Sequence, residues 1–363
     1  MANFGVAAKY DRTKEVEEFD NSKAGVKGLV DAGVNTIPRL FHHPGAVSSP
    51  ASPSSNPSLS IPTVDLSLPR ARVIELASAA AREWGFFRLV NHGVPREAIS
   101  AALSAAQAFN ELPAEAKAGY YSRKVGGKVT YNSNFDLYHS DVASWRDTLQ
   151  VVTGAPTPLD AEQIPEVCRR ELLEWDEHAL GVAKRVLGLL SEGLGVESGR
   201  LEENKCLELR VLVSHYYPYC PQPELTLGHD GHTDVVVLTV LVTNEVEGLM
   251  VKKEGSHGEW VMVEPVPGSI IVNVGDTLQM ISNDEYKSVE HKVAANPHKK
   301  ARVSIAAFYS PPSHLDSVHY GPLPELISQA KPARYREFTM AEAMGIFASK
   351  KLVTKSLINH FRI

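Results

Sequence analysis

One imidazole and one carboxylate stand two residues apart in His232-Thr233-Asp234, and a second imidazole, His291, follows 57 residues after Asp234. On an extended strand, residues i and i+2 point to the same face. His232 and Asp234 can therefore reach one metal ion from a single short segment, with His291 brought in by a distant strand. Two imidazoles and one carboxylate leave one side of an octahedral ion open, which suits Fe(II) that must take up a cosubstrate and O2. His-x-Asp alone arises often by chance, so the signal rests on its surroundings. Downstream, residues 301–309 read Ala-Arg-Val-Ser-Ile-Ala-Ala-Phe-Tyr. Arg302, Ser304, Ala306 and Phe308 fall on one strand face and Val303, Ile305 and Ala307 on the other. An Arg and a Ser on the face that otherwise carries small and aromatic residues form a carboxylate site: the guanidinium grips the anion with two parallel bonds and the hydroxyl adds a third. His229 competes as a ligand, but three residues before His232 on a strand it would face the opposite way, which places it at a pocket rim. His92, in an Asn-His-Gly turn, reads as structural.

The elements that must carry these residues are legible in part. From Cys206 onward, short β-branched runs follow at close spacing: Val211–Tyr217, Val235–Val242, Leu249–Lys252, Trp260–Val263, Ser269–Val274 and Arg302–Tyr309. Pro267-Gly268 and Gly275-Asp276 punctuate them, and the pattern suits an antiparallel double-sheet jelly roll. Ahead of it, Val73, Leu76, Ala77, Ala80, Ala81 and Trp84 predict a helix over 70–84, and Phe86 to Val90 reads as a strand. Leu180, Ala183, Leu187, Leu190 and Leu194 mark a second helix, stopped by Gly195. Residues 1–60 read as a charged, partly helical arm with a Ser/Pro-rich linker at its end. Residues 61–165 form an N-terminal domain, 206–312 the jelly-roll core and 313–363 a helical tail. The expected fold class is mainly β with flanking helices.

Composition narrows the function. The 363 residues are 43% hydrophobic and 22% charged, as in a globular protein, and the net charge of −6 gives no basic footprint for nucleic acid. Cys168, Cys206 and Cys220 are odd in number and show no Cys-x-x-Cys pattern, which fits a reducing compartment and disfavours structural zinc. No apolar run is long enough to span a membrane, and the acidic N-terminal stretch does not suit a transit peptide. The expectation is a cytoplasmic monomer that meets neither membrane nor nucleic acid.

The triad followed by Arg-x-Ser resembles the plant Fe(II)/2-oxoglutarate-dependent dioxygenases. Ile61-Pro62-Thr63-Val64-Asp65-Leu66, Trp84-Gly85-Phe86-Phe87, Val90-Asn91-His92-Gly93-Val94-Pro95 and Tyr216-Tyr217-Pro218-Tyr219-Cys220-Pro221 are similar to stretches of that family and stand in the same order. Within it, the segment from Lys23 to Asp31 (Lys-Ala-Gly-Val-Lys-Gly-Leu-Val-Asp), the segment Trp145-Arg146-Asp147-Thr148 and the terminal His360-Phe361-Arg362 resemble the 1-aminocyclopropane-1-carboxylate oxidase homologues.

This resemblance implies a distorted double-stranded β-helix core, Fe(II) and 2-oxoglutarate as cofactor and cosubstrate, ascorbate as reductant, and O2. It implies that the distal carboxylate of 2-oxoglutarate meets Arg302 and Ser304. Tyr217 matches a second cosubstrate contact, while His215 stands where the family's commonest pattern has Asn. The resemblance also implies that Phe308, Phe135, Asn134 and Thr148 line the substrate pocket, and that the substrate is a small, mostly apolar specialised metabolite. Two other readings stay open: an ethylene-forming 1-aminocyclopropane-1-carboxylate oxidase, and a non-catalytic small-molecule binder on the same scaffold. The long arm and the Trp-Arg-Asp-Thr segment speak against the first, and the intact triad and Arg-x-Ser against the second.

Overall fold

A hydrophobic stripe along one long helix organises the N-terminal half of the molecule. In the computed structural model, which describes residues 10–44, 60–124, 126–154, 158–253, 259–314, 317–349 and 356–363, the chain forms ten α-helices and twelve strands among the described residues. In chain order these are α1 (Arg12–Ser22), α2 (Gly25–Asp31), β1 (Thr63–Asp65), α3 (Arg70–Glu83), β2 (Phe86–Val90), α4 (Arg96–Glu111) and α5 (Ala114–Ala118). Next come β3 (Val129–Asn132), β4 (Asp147–Val152), α6 (Glu166–Gly193), α7 (Arg200–Glu203), β5 (Leu209–Tyr217), β6 (Leu227–His232) and β7 (Leu238–Thr243). The chain continues through β8 (Leu249–Lys252), β9 (Trp260–Met262), β10 (Ile270–Val274), α8 (Asp276–Ile281), β11 (His291–Ala294), β12 (Arg302–Ser310), α9 (Met340–Ser349) and α10 (Ser356–Phe361).

The organising helix is α6. It starts after Pro165, places Glu166 in its first turn, and buries Cys168, Leu172, Trp175, Ala179, Val182, Val186 and Leu190 at three- and four-residue spacing. It begins earlier than the leucine pattern from Leu180 suggests, because Trp175 and Leu172 continue the same stripe. Gly195, at φ +81°, ends the run.

Two sheets face each other. The larger has eight strands in the order β1-β2-β10-β7-β12-β5-β4-β3, the smaller four in the order β6-β11-β8-β9. Every pairing is antiparallel except β1 with β2. Strands β1 to β4, from the segment read as an N-terminal domain, are thus part of the same sheet as the C-terminal strands.

Alternation along the large sheet sorts its two faces. Val64, Phe87, Leu149, Leu212, Val240, Val272 and Ile305 point outward and pack with α3, α4 and α6 in the main core. Phe86, Tyr217, Leu241, Ile271 and Ala306 point inward and pack with Leu249, Val251, Val261 and Val293 of the small sheet. The inward face carries the polar residues discussed below.

Several expectations need correction. The run from Val235 is not strand at its start: β7 begins only at Leu238. Strands β3, β4, β6 and β11 lacked a readable pattern. Among the described residues, the tail after Leu323 is helical in a single 3-10 turn (Pro324–Leu326) and in α9 and α10, and its middle runs as turns and isolated bridges, Ser328 with Lys331, Phe338 with Tyr320 and Tyr335 with Arg362. Nearly all of the Ser/Pro-rich linker, residues 45–59, lies outside the described residues. The three cysteines are buried and unpaired. Among the described residues no helix is long and apolar enough to cross a membrane.

Candidate metal and cosubstrate site

His232 is the last residue of β6 and pairs with His291, the first residue of β11. Asp234 lies two residues beyond the strand end, in a segment that turns toward β7 and is held by the start of α8. Asp276 donates its amide to the carbonyl of Asp234 at 2.7 Å, and the Thr277 hydroxyl donates to Val235 at 2.6 Å. Gly275 permits this contact, since a Cβ there would collide with the carbonyl of Val236. The convergence of His232 and Asp234 thus comes from a braced turn and not from strand parity alone.

His232, Asp234 and His291 each offer one ligand atom to a metal ion, and these atoms all lie within 4.8 Å of one another. Each side chain has one ligand atom occupied and one left over. Nδ1 of His232 donates to the carbonyl of Asp230 at 2.8 Å, and Nδ1 of His291 donates to that of Val289 at 3.2 Å. A carbonyl only accepts, so these bonds fix the tautomer and leave both Nε2 atoms as lone-pair donors. Both Nε2 atoms stand 3.6 Å from Oδ1 of Asp234. Its Oδ2 accepts from the Thr239 hydroxyl at 2.6 Å and the Asn273 amide at 2.8 Å, which frees Oδ1.

Electrostatics agree with this assignment. Burial, then the neighbouring His291, lower His232 to about 4, so its ring is neutral. Burial pushes Asp234 up, but His291, His232 and the two hydrogen bonds outweigh it and hold the carboxyl below its ordinary value. Two imidazoles and one carboxylate, each with a free donor atom on one point, fit Fe(II).

His229 shows where strand parity misleads. It pairs with Val293 while His232 pairs with His291, so β6 has one extra residue between the two pairs, a bulge. The bulge turns His229 to the same side, where its ring stacks on His232 at 4.0 Å. It lies inside the site and not at a rim, although the convergent donor set does not include it.

The residues expected to hold the cosubstrate form adjacent rows across the inner face. Arg302 pairs with Tyr217, and Ser304 with His215. Arg302 is 2% exposed, its Nη1 donates to the Ser304 hydroxyl at 3.3 Å, its guanidinium covers the Tyr217 ring at 4.9 Å, and its Nε has no partner. Arg302 makes no ion pair with a described residue, and a buried cation without one calls for an anionic ligand. Thr148 pairs with His215 in the ladder, and its hydroxyl lies 3.0 Å from Nδ1 of that ring. Burial, followed by the charges of Arg146 and Arg302, holds His215 well below the imidazole range.

The four expected substrate residues separate. Phe308 is half-buried on the face of Arg302 and Ser304, against the inner cluster. Thr148 is drawn into the His215 contact. Asn134 is buried, and its side-chain amide both accepts from and donates to the backbone of Ser144, at 2.8 and 2.9 Å, so it pins a loop. Phe135 is 56% exposed and stacks on Phe347, at the surface. Sequence reasoning gave no role to Thr239 and Asn273, or to Arg146. For Thr239 and Asn273, polar residues at inward positions of otherwise apolar strands were the available signal.

Residues 209–311 match the 2OG-Fe(II) oxygenase superfamily, and residues 61–171 match the family described as non-haem dioxygenase in morphine synthesis N-terminal. The chain is 43% identical over 354 residues to 1-aminocyclopropane-1-carboxylate oxidase homolog 4 of Arabidopsis thaliana, covering 97% of this chain and 99% of that protein. It is 40% identical over 364 residues to homolog 3 of the same plant, covering 98% of each. A crystal structure of JOX2 in complex with 2OG, Fe and JA superposes with a TM-score of 0.81 at 30% identity, over 93% of this chain and 97% of that one. The dioxygenase for auxin oxidation of rice gives 0.71 at 26% identity, over 84% of this chain and 100% of that one. The chain belongs to the plant 2-oxoglutarate- and Fe(II)-dependent dioxygenases. It is an oxidoreductase with a jelly-roll core that uses Fe(II) and 2-oxoglutarate on a small molecule.

Proposed function

We propose that the chain oxidises a small, mostly apolar specialised metabolite at a centre formed by His232, Asp234 and His291. The observation that carries this is the one free donor atom on each of the three side chains, with every other ligand atom already bonded. Fe(II), when bound, supplies the redox chemistry that couples decarboxylation of 2-oxoglutarate, to succinate and CO2, with oxidation of the substrate by O2. The protein's own part is placement. Arg302 and Ser304 take the distal carboxylate of 2-oxoglutarate, Tyr217 packs under the Arg302 guanidinium, and His215, oriented by Thr148, faces the same space. Phe308 supplies an apolar wall beyond Ser304, as small-ligand pockets require.

Ascorbate keeps the metal reduced in this reading. The chain works as a monomer in the cytosol, where three buried, unpaired thiols persist. JOX2, whose structure holds JA, and the rice auxin dioxygenase supply the analogy for the substrate. The test is a turnover screen of small metabolites with Fe(II), ascorbate and 2-oxoglutarate, read as succinate formed per substrate consumed. Stoichiometric succinate with a small acid, phenolic or indole compound is expected. Ethylene from 1-aminocyclopropane-1-carboxylate without 2-oxoglutarate would replace this reading, and absence of any 2-oxoglutarate decarboxylation would make the chain a binder.

A further inference from the structure

The inner face holds a second guanidinium that the 2-oxoglutarate reading does not use. Arg146 stands one residue before β4. The ladder pairs Thr148 with His215 and Asp147 with Tyr216, so alternation sets Arg146 beside Tyr217, in the row that has Arg302 on the far side. Arg146 is 3% exposed. Its Nη1 donates to the carbonyl of Gly228 at 3.1 Å, and its Nε has no partner.

No described carboxylate pairs with Arg146. The acidic groups whose fields reach it are the Tyr217 phenol first, then Asp136 and Asp230. Asp230 is turned away, toward His43 at 3.3 Å and the Gly231 amide at 2.7 Å. The groups around the guanidinium are instead the site's own: its charge acts on His215, His229 and His232.

The charges of the loaded site do not balance. A divalent metal and two guanidiniums bring four positive charges. Asp234 and 2-oxoglutarate bring three negative ones. One positive charge remains among buried side chains, Arg146 at 3% and Arg302 at 2% exposure, which is unfavourable unless a further anion enters.

We propose that Arg146 anchors a carboxylate of the organic substrate, so that the substrate is a monocarboxylic acid and not a neutral or amine-bearing compound. The planar fork of an arginine is the group suited to a carboxylate, and the free Nε offers a donor on one edge. The inference rests on the metal and 2-oxoglutarate reading above and narrows its substrate class from apolar metabolites in general to acids.

The experiment uses the full chain loaded with Zn(II) in place of iron and with saturating 2-oxoglutarate, so that nothing turns over. Phenylacetate, phenylacetamide and bicarbonate are titrated by calorimetry into the wild type, Arg146→Gln and Arg146→Lys. The wild type should prefer phenylacetate to phenylacetamide by about tenfold, the value of one charge-assisted contact. Arg146→Gln should lose that preference and Arg146→Lys should keep part of it, with 2-oxoglutarate affinity little changed in both. The acid–amide comparison in the wild type stands even if a variant fails to fold. Equal binding of acid and amide, binding of neither, or a preference that survives in Arg146→Gln would overturn the proposal. Bicarbonate binding as tightly as phenylacetate would make this an inorganic-anion site and overturn it too, as would loss of 2-oxoglutarate binding in Arg146→Gln alone. Failure of the wild type to bind 2-oxoglutarate at all would strike the underlying reading instead.

Discussion

Thr239 donates a 2.6 Å hydrogen bond to Oδ2 of Asp234, which joins the inner face of the large sheet to the turn that follows β6. The bond decides which carboxylate oxygen is free, and Asn273 repeats the decision from the next strand at 2.8 Å. Partners of this kind typically contribute 10- to 100-fold in metal affinity. Thr239→Val should therefore bind Fe(II) or Mn(II) about tenfold more weakly by competitive dialysis, with the fold intact. Asp234→Ala and His232→Ala should retain no metal, whereas His229→Ala should retain it. Metal that survives Asp234→Ala but is lost in His229→Ala would sink the assignment of ligands.

Arg302 is the test of the cosubstrate site. Its guanidinium is buried over Tyr217 and meets no carboxylate among the described residues. A lysine carries the charge but not the planar fork. Arg302→Lys should raise the KM for 2-oxoglutarate by about tenfold, which is ~1.4 kcal/mol, and Arg302→Ala by more. Unchanged dependence on 2-oxoglutarate in the alanine variant would remove the carboxylate clamp.

The part of this site that can be read from sequence is the part set by local alternation. Residues 302–309 announce their strand because β-branched and apolar residues hold one face while Arg302, Ser304 and Phe308 share the other. Strand β6 gives no such signal. It reads Leu-Gly-His-Asp-Gly-His, with two glycines and no β-branched residue, and is extended because β11 pairs with it. The bulge in that pairing is also invisible in the chain, which is why parity put His229 on the wrong side. Contacts between distant segments are harder still. Arg146 gains its significance only when β4 comes to lie beside β5, and the amide of Val26 lies 121 residues from its acceptor in Asp147.

That last contact explains two segments that look unrelated in sequence. The carboxylate of Asp147 accepts from the amides of Val26 and Lys27, each at 2.8 Å, and from the Ser133 hydroxyl. Gly25 sits at φ +70°, where a Cβ would lie 2.6 Å from Oδ1 of Asp147. The arm is thereby fastened to the strand that carries Thr148. Asp147→Ala leaves buried amides without an acceptor and should cost about 1–3 kcal/mol. Limited proteolysis should then cut within residues 10–31 in this variant, and in Gly25→Ala, but not in the wild type. Equal resistance in all three would show that the arm is held by other contacts.

The C-terminus is fastened by a different carboxylate. Asp284 accepts from Arg362 at 2.9 Å, Arg334 at 3.0 Å and Gln279 at 2.8 Å, and from the Tyr335 hydroxyl. Burial raises its pKa, but the bonds from Arg362, Tyr335, Gln279 and Arg334 outweigh it and hold the carboxyl far below the ordinary range. Because the folded value lies below the unfolded one, near 3.9, the stabilisation is full above about pH 5 and lost as the pH falls through the unfolded value toward the folded one. Hydrogen exchange of residues 356–363 should thus rise on acidification below about pH 4 relative to the sheet core. Asp284→Asn should exchange fast there at neutral pH already, and a C-terminus equally protected in that variant would refute the clasp.

Phe308 separates a substrate wall from a core residue. It is half-buried, shares a face with Arg302 and Ser304, and lies between Val211 and Thr239 in the sheet. Were it core packing, Phe308→Ala would leave a cavity, cost about 3–5 kcal/mol and reduce every activity together. Were it a wall, the metal and 2-oxoglutarate would still be placed by residues that the substitution does not touch. The expected result is that decarboxylation of 2-oxoglutarate without substrate persists while substrate oxidation falls by at least about tenfold, an effect on a contact made only with the substrate. The ratio of succinate formed to substrate oxidised should rise accordingly, since cosubstrate turnover loses its coupling. Parallel loss of both reactions, together with a large drop in Tm, would return Phe308 to the core.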